Sequence, residues 1–589
     1  MVSGWKSRCA RILLGAASLW AAKSPGVIST SYYPDPPLPQ VINEIVGADR
    51  FYYAGFYGNS TVVANVEAGH VWDGHETLGH VDTFLNDPSI EGAARQYDSH
   101  ATAVGFAING LGPEAPGGGY YWYQFGIAPG AFMASTAIAT DFGSGGGFSV
   151  SGQSFLYGYQ TTMRDGVPVP IAPGISVSVP ANVVNSSWGF ADPDGSHPFT
   201  LALDALAFAN GTTVTLPSGN RGDGEPSGPV VGMGSGYNSI TVASAGSDIS
   251  SPPYGAVSDF SMAGPNDFYN PATGTTVAGA RAAVDLAAPG EALVLAAYTG
   301  TTGSNAGGTD PWEPAPGEPD QRPGLYYNGI GGTSFSSAIV AGGAALVVDA
   351  GYDTFGGGES IDGRVVKAVL MNSARKPDGW DNGTALADGV LTTTQALDYR
   401  TGAGLLNLDR TFDQYLAGTS GLAGNEGGDV GMVGWDLGLV SDADPVNEYR
   451  ITDPLVAGGL FIATLDWFVN RSLDGGVDPI GDVPNASDVQ FDNLDLELWH
   501  LAYSGPDTLV ASSETLFGNV EHIFATVPYD GEYALRVIWR GEIYDVAGDT
   551  PNSDLYGLAW HIPEPDACAL LIGTALLCLA GLRRRRAET

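Results

Sequence analysis

The sequence of 589 residues predicts a parallel α/β domain, an antiparallel β-sandwich after it, and a single transmembrane helix at the C-terminus. Up to residue 418, short apolar strands alternate with helix-like runs, which is typical of a parallel sheet flanked by helices. From about residue 433, short alternating strands follow one another without helices, as in a β-sandwich. The last apolar run, residues 567–582, is barely long enough to span a bilayer.

The elements of the α/β domain can be placed in order along the chain. Apolar and β-branched runs predict strands, and longer runs with helical spacing predict helices. The predicted strands are residues 61–66, 130–139, 179–188 and 212–218. The predicted helices are residues 99–110, 196–210 and 363–374, and residues 402–416 form the closing element. The chain then divides into a first domain (23–418), a Gly-rich linker (419–432) and a β-sandwich (433–560).

The charge balance excludes some classes of partner. The net charge is −40 at pH 7 and the pI is near 4.2, so nucleic acid and anionic membrane surfaces are poor partners. The three cysteines lie near the ends of the chain, Cys9 in the N-terminal segment and Cys568 and Cys578 in the last apolar run. If both ends are trimmed, the remaining body has neither disulfides nor thiol chemistry.

The two ends of the chain are typical of targeting segments. Residues 1–22 carry basic residues before the apolar run ILLGAASLWAA, which predicts a secretory signal peptide. Residues 561–589 combine Pro-Glu-Pro, the apolar run and four arginines, an order that resembles the PEP-CTERM sorting signal of Gram-negative bacteria. A simple single-span anchor is the alternative. The resemblance implies export to the cell envelope or extracellular matrix, processing by exosortase-type machinery, and at least transient membrane anchoring through the C-terminal helix.

The stretch GGTSFSSAIVAGG, residues 331–343, places Ser334 behind a tight turn at the start of an apolar helix. Ser334 is a candidate nucleophile, although Ser and Thr are also common N-caps, and the stretch alone favours a cap. A serine nucleophile needs a base and a third group that orients the base. His100 begins a helix of small residues, and Glu67 directly follows a buried strand. The order acid, His, Ser is one of the known triad orders.

Seven segments in order resemble the subtilase (S8) family of serine endopeptidases, over roughly residues 55–415. They are VANVEAG, HATAVG, GIAPGA, VVNSSWG, LPSGNRG, VDLAAPGEAL and GTSFSSAIVAG. The resemblance implies a subtilisin-like fold and the hydrolysis of peptide bonds in polypeptide substrates, with no cofactor required for catalysis. It assigns roles to seven residues: Glu67, His100 and Ser334 as catalytic triad, Asn220 as oxyanion donor, and Ser187, Trp188 and Gly189 as substrate-binding edge.

One departure from the family pattern leaves a second interpretation open. Glu67 stands where the family has Asp, so its carboxylate lies one methylene further from the backbone. Ser-His-Glu triads exist in other folds, so the change is compatible with catalysis. The alternative is a catalytically inactive surface or matrix binding protein. A lipase or esterase is disfavoured, because the nucleophile lacks the Gly-x-Ser-x-Gly elbow.

Metal-binding patterns are weak in this sequence. The predicted sandwich resembles the jelly-roll domain that follows the catalytic domain in some alkaline subtilases. There Asp492 and Asp495 could bind structural calcium through hard oxygen ligands, or form a solvated strand edge. His70, His75 and His80 recur every five residues, a spacing that differs from that of a zinc-binding HExxH helix. We expect these histidines to be loop residues.

Overall fold

The computed structural model describes residues 42–89, 96–113, 124–143, 147–221, 228–246, 253–304, 325–419, 427–548 and 550–563. The predicted signal peptide lies outside these residues. So does all of the predicted sorting segment after residue 563, including its transmembrane helix.

Eight α-helices occur in the described residues, together with a short π-helix at Thr161–Asp165 and short 3-10 helices at Gly232–Ser235 and Gly358–Ile361. The helices are α1 (Ile42–Val46), α2 (Asp49–Ala54), α3 (Ser99–Asn109), α4 (Gly152–Gln160), α5 (Pro198–Asn210), α6 (Thr333–Phe355), α7 (Gly363–Asn372) and α8 (Leu408–Ala417).

The strands of the first part of the chain are β1 (Val62–Glu67), β2 (Thr83–Leu85), β3 (Phe132–Ala137), β4 (Asp141–Phe142), β5 (Phe148–Ser149), β6 (Val167–Ala172), β7 (Ile175–Val179), β8 (Val183–Asn185), β9 (Thr213–Pro217), β10 (Ile240–Ala245), β11 (Asn266–Asn270), β12 (Thr275–Arg281), β13 (Leu286–Pro289), β14 (Leu293–Ala296) and β15 (Tyr326–Ile330). The later strands are β16 (Ala385–Ala387), β17 (Val390–Thr393), β18 (Gly427–Val430), β19 (Val433–Ser441), β20 (Val446–Leu455), β21 (Leu460–Trp467), β22 (Asn470–Asp478), β23 (Val483–Leu501), β24 (Thr508–Ser513), β25 (Val520–Thr526), β26 (Gly531–Asp545) and β27 (Ser553–His561).

A parallel sheet of seven strands forms the centre of the first region, in the order β13-β10-β9-β8-β1-β3-β2. Strand β1 lies between β8 and β3 and pairs in parallel with both. All six of its residues are buried, which explains why its sequence is a continuous apolar run rather than an alternating one. The predicted parallel α/β fold is therefore confirmed.

Helix α6 forms much of the core behind this sheet. Its residues from Thr333 to Gly351 are all buried, because small and apolar side chains surround the helix on every side. Within the described ranges it is the one helix whose length and hydropathy would suit a membrane span, and its apolar stretch is entirely enclosed by protein. It is thus a core helix, and it carries Ser334 at its second position.

Most strands and helices predicted for the first region are found within a few residues of their expected bounds. The exception is the strand expected at residues 179–188, which is divided between β7 and β8. Pro180 follows the last residue of β7 and cannot donate a backbone hydrogen bond, which accounts for the interruption.

The C-terminal region is rich in β-structure and contains two sheets. One has four antiparallel strands in the order β19-β27-β21-β25. The other has eight strands in the order β16-β17-β24-β23-β26-β20-β18, with β22 paired to β23. Strands β17 and β18 add in parallel, so this sheet is mixed.

Two segments of this larger sheet come from outside the predicted sandwich bounds. The hairpin β16–β17 belongs to the part of the chain predicted as the first domain. Strand β18 lies in the predicted Gly-rich linker. An edge strand requires only backbone donors and acceptors, which Gly supplies as well as any residue, and composition alone therefore did not reveal it.

The two regions pack against each other through buried polar contacts. Helix α7 packs on β21 and β27, and α5 packs on β22 and β23. In the second interface, Arg471 Nη1 lies 2.6 Å from Asp204 Oδ2, and Arg471 Nε lies 3.1 Å from Asp488 Oδ1. All three side chains are buried, so the pairing is shielded from solvent. Removing any one of them would leave a buried charge without its partner.

Candidate active site

Glu67 is the last residue of β1, at the carboxyl edge of the central sheet. Its side chain is buried, and both of its oxygens have partners. Oε2 lies 3.0 Å from His100 Nδ1, and Oε1 accepts a hydrogen bond of 2.7 Å from the backbone N–H of Ser187. A buried carboxylate needs such donors to offset its lost hydration.

His100 is held at the start of α3 by the cap of that helix. The Asp98 side chain accepts from the backbone N–H of Ala101 at 2.8 Å, and its other oxygen accepts from the N–H of Ser304 at 2.6 Å. Burial disfavours protonation of His100, but the charge and hydrogen bond of Glu67 outweigh it and raise the histidine pKa above its ordinary value. The carboxylate thereby favours the imidazolium form.

Ser334 lies at the N-terminal turn of α6, and the residue that follows it contacts His100. The ring of the next residue, Phe335, has its centroid 5.8 Å from that of His100. The Ser334 hydroxyl donates to the backbone carbonyl of Ser187 at 3.3 Å. Between these two described side chains, Ser334 and His100, there is no hydrogen bond in this conformation.

Asn220 follows the end of β9 and contacts the residue before Ser334. Its Oδ1 accepts from both the backbone N–H and the hydroxyl of Thr333, each at 3.0 Å. These two bonds fix the carboxamide orientation, so that Nδ2 faces away from Thr333. The backbone N–H groups in the first turn of a helix have no intrahelical partner. The Ser334 N–H is therefore a second hydrogen-bond donor at this place, beside Asn220 Nδ2.

The three residues predicted at the substrate-binding edge differ in their surroundings. Ser187 is only 5% exposed, and its hydroxyl donates to the Ser334 carbonyl at 2.9 Å and lies 3.0 Å from Ser337 Oγ. Trp188 is half-buried and Gly189 is exposed. Within the described part of the chain, the backbone groups of Trp188 and Gly189 make no hydrogen bond. Only these two residues therefore offer a free edge.

Sequence reasoning missed the inward role of Ser187 and Ser337. Asn185 Nδ2 donates to Ser187 Oγ at 3.0 Å, so a buried polar network runs from β8 to the turn that carries Ser334. The spacing of Ser334 and Ser337 on one helix was an available signal, because residues three apart share a helix face. For Ser187 the sequence gives no such signal, since its partners are distant in the chain.

Comparison with known proteins identifies the family. The model of the subtilase family, Peptidase S8, matches residues 76–404, which is more than half of the chain. The chain belongs to the subtilase family. His100, Asn220 and Ser334 lie inside the matched residues, and Glu67 lies before them. No match was found among curated proteins.

Among solved structures, this subtilase is similar to two crystal structures of MycP1. One has the N-terminal propeptide removed; it is 20% identical, with a TM-score of 0.38, covering 64% of this chain and 98% of its own. The other is described as MycP1 from the ESX-1 type VII secretion system; it is 20% identical, with a TM-score of 0.39, covering 66% of this chain and 88% of its own.

The two acids considered for calcium in this subtilase have separate partners. The Asp492 carboxylate accepts from Gln490 and from Trp539 Nε1, the latter at 3.1 Å. Asp495 lies with Glu497 and Glu514 in the one group of acids, among the residues described, whose oxygens are close enough to share a cation. The guanidinium of Arg540 contacts both Asp495 and Glu497. Calcium binding stays a prediction.

The three regularly spaced histidines of this subtilase lie outside its helices and strands. His75 has a polar partner on each ring nitrogen: Nδ1 lies 2.8 Å from Thr77 Oγ1, and Nε2 lies 2.6 Å from the Leu325 carbonyl. His70, His75 and His80 belong to no potential metal cluster within the described ranges.

Proposed function

We propose that this subtilase is an exported serine endopeptidase with Ser334 as nucleophile, His100 as general base and Glu67 as the acid of the triad. The observation that supports this most directly is the 3.0 Å contact between His100 Nδ1 and Glu67 Oε2, two residues 33 positions apart. Such a contact fixes the imidazole tautomer, with the proton on Nδ1 and a free acceptor at Nε2.

The chemistry follows from this tautomer. Ser334 Oγ attacks the peptide carbonyl carbon while its proton passes to His100 Nε2. His100 then gives the proton to the leaving amine, and an acyl-enzyme remains on Ser334. Water, activated by the same imidazole, releases the acid and regenerates the serine. The Asn220 carboxamide and the Ser334 N–H would hold the oxyanion formed in both steps.

Reaction with a fluorophosphonate probe tests the proposal. The full chain is incubated with the probe, and intact mass shows whether a phosphonyl group has replaced the Ser334 hydroxyl proton, with loss of fluoride. We expect labelling in the parent and none in Ser334→Ala. The matched control is Ser336→Ala, because this serine is buried in the same helix and its hydroxyl has no hydrogen-bond partner among the described residues. Labelling of Ser334→Ala would contradict the assignment.

A catalytically silent subtilase that binds surface or matrix partners is the second candidate. It is favoured by one observation, the hydrogen bond of the Ser334 hydroxyl to the Ser187 carbonyl rather than to His100. Absence of labelling in a protein with an intact cooperative unfolding transition would support this candidate.

We further propose export and membrane anchoring. The support is the order of basic and apolar residues at the N-terminus and of Pro-Glu-Pro, apolar run and arginines at the C-terminus. The signal peptide, the sorting signal and its exosortase-type processing are tested together by mass spectrometry of the protein recovered from envelope and medium fractions. Full-length protein confined to the cytoplasm would contradict export.

A further inference from the structure

A hairpin of the C-terminal region reaches the first region near the candidate substrate edge. It consists of β22, the turn 479–482 and the start of β23. At its tip, the backbone N–H of Gly152 donates to the Asp482 carbonyl at 2.9 Å and to Asp482 Oδ1 at 3.1 Å. Gly152 is the first residue of α4, so the hairpin tip covers the N-terminus of that helix.

The hairpin is held at its base and on its sides as well as at its tip. Near its base, the buried Arg471 pairs with Asp204 of α5 at 2.6 Å. Along its sides, Val477 and Val483 pack with the apolar cluster that includes Phe155 of α4. The hairpin therefore moves with α4 and α5 rather than as a free arm.

Helix α4 in turn supports the residues of the candidate substrate edge. The Phe155 ring centroid lies 6.3 Å from that of Trp188. The hydroxyl of Tyr159 hydrogen-bonds Ser186 Oγ, and Ser186 Oγ donates to the Val66 carbonyl at 2.8 Å. The helix thus contacts the edge both at Trp188 and at the residue before Ser187.

We propose that the hairpin positions the Trp188–Gly189 edge, with Asp482 and Gly152 as positioning residues, and that it determines affinity for extended peptides. This inference rests on the proposed peptidase function. The contacts that carry this effect run from the hairpin tip to α4 and from Phe155 of α4 to Trp188, and none of them involves the side chain of Glu67, His100 or Ser334. Disturbing the tip should therefore weaken binding along the edge and leave the reacting groups in place.

Gly152→Ala is the most direct perturbation. A Cβ atom at this position would lie 2.7 Å from the Asp482 carbonyl oxygen and 2.9 Å from Val477 Cγ1, so the hairpin tip and the start of α4 must move apart. The matched control is Gly431→Ala, because a Cβ there meets no atom of the described part of the chain within 4 Å. We expect KM to rise about tenfold for a quenched peptide with four residues before the scissile bond, because small displacements of a binding surface have large kinetic effects. The kcat and the fluorophosphonate labelling rate should stay within about twofold of the parent, since neither depends on the edge.

A second pair of variants isolates the side chain of Asp482. The residue has φ of 50°, which Gly and Asn adopt more readily than other residues. Asp482→Asn keeps an oxygen acceptor and should behave as the parent, whereas Asp482→Gly removes it and should raise KM by about twofold to threefold. Equal KM values for these two variants, together with an unchanged Gly152→Ala, would overturn the inference.

Hydrogen exchange separates this inference from the peptidase proposal. In Gly152→Ala, the amides of residues 188–190 should exchange faster than in the parent, whether or not the protein is active. Unchanged exchange there would refute the positioning role even in an active enzyme. Faster exchange in a protein that neither cleaves peptides nor reacts with the probe would refute the peptidase function and retain the structural coupling.

Discussion

Replacing Glu67 by Gln changes one atom and should remove most of the catalytic power. In the parent, Oε1 accepts from the Ser187 N–H and Oε2 accepts from His100 Nδ1. Glutamine has one oxygen and one NH₂ group. If its oxygen remains on the Ser187 N–H, the NH₂ group faces His100 Nδ1 and forces the imidazole proton onto Nε2. That nitrogen then cannot accept the Ser334 proton.

The magnitude can be worked from the distance between the two groups. Opposite unit charges 3.0 Å apart attract by about 5.5 kcal/mol at an effective dielectric constant of about 20. The His100 side chain is 36% exposed, so solvent screening reduces this attraction. A loss of about 3–5 kcal/mol in stabilisation of the imidazolium lowers kcat/KM by about 10²–10⁴-fold. Because Glu67→Gln also moves the imidazole proton to Nε2, we expect its loss in kcat/KM to be near the upper limit of this range.

The pH profile gives an independent readout. The proposed mechanism requires neutral His100, and Glu67 holds the pKa of His100 above its ordinary value of 6.5. The acid limb of kcat/KM in the parent should therefore have its midpoint above 6.5. In Glu67→Gln, burial remains and the carboxylate charge is gone, so the midpoint of the residual activity should move to lower pH.

The assay is cleavage of a quenched peptide between pH 5 and 9, with Asp73→Asn as the control. Asp73 is a nearby acid that accepts from Tyr97 at 2.8 Å and is not hydrogen-bonded to His100. This control should keep the parent rate and the parent midpoint. An unchanged acid limb in Glu67→Gln, or activity above about a tenth of the parent, would refute the role argued for Glu67.

Two further predictions concern the oxyanion and the stability of the C-terminal region. Asn220→Ala should lower kcat by about 10²–10³-fold with little change in KM in steady-state cleavage assays, because an oxyanion donor acts mainly in the transition state. A rise in KM with an unchanged kcat would contradict this. Burial raises the pKa of Asp436 from 3.8 to about 6, against the hydrogen bond from Tyr449. The Asp436 carboxyl therefore contributes most to the free energy of unfolding below pH 3.8, and this contribution is lost as the pH rises to about 6. Asp436→Asn should therefore flatten the fall in unfolding free energy over that interval in urea titrations, and an unchanged slope would contradict the assignment.

The central sheet and the segments around the candidate site could be predicted from the sequence because they obey local rules. Strand β1 is a continuous apolar run that ends in a carboxylate, and α3 begins directly before His100. Such runs follow from burial on both faces of a parallel sheet. The carboxyl ends of its strands meet at one edge, which is why Glu67 and the residues after β8 and β9 come together.

Other features depend on contacts that no local pattern encodes. The Gly-rich strand β18 forms only because β20 presents a partner edge. Ser187 faces inward, unlike Trp188 and Gly189, because its hydroxyl donates to the Ser334 carbonyl and contacts the Ser337 hydroxyl, both in the distant helix α6. The hairpin contact between Asp482 and Gly152 joins residues 330 positions apart, so neither segment signals it.

The replacement of Asp by Glu at position 67 does not by itself favour a silent protein. The longer side chain satisfies both its oxygens, one on His100 and one on the Ser187 N–H, while remaining only 1% exposed. A buried carboxylate without such partners would be costly, so this geometry is a stable one. What separates the active from the silent interpretation is then the Ser334 hydroxyl, bonded at 3.3 Å to the Ser187 carbonyl. Rotation about one side-chain bond changes the direction of that hydroxyl, and a neutral hydrogen bond of this length opposes it by only about 1 kcal/mol. The resting contact is thus too weak to hold the serine away from its base.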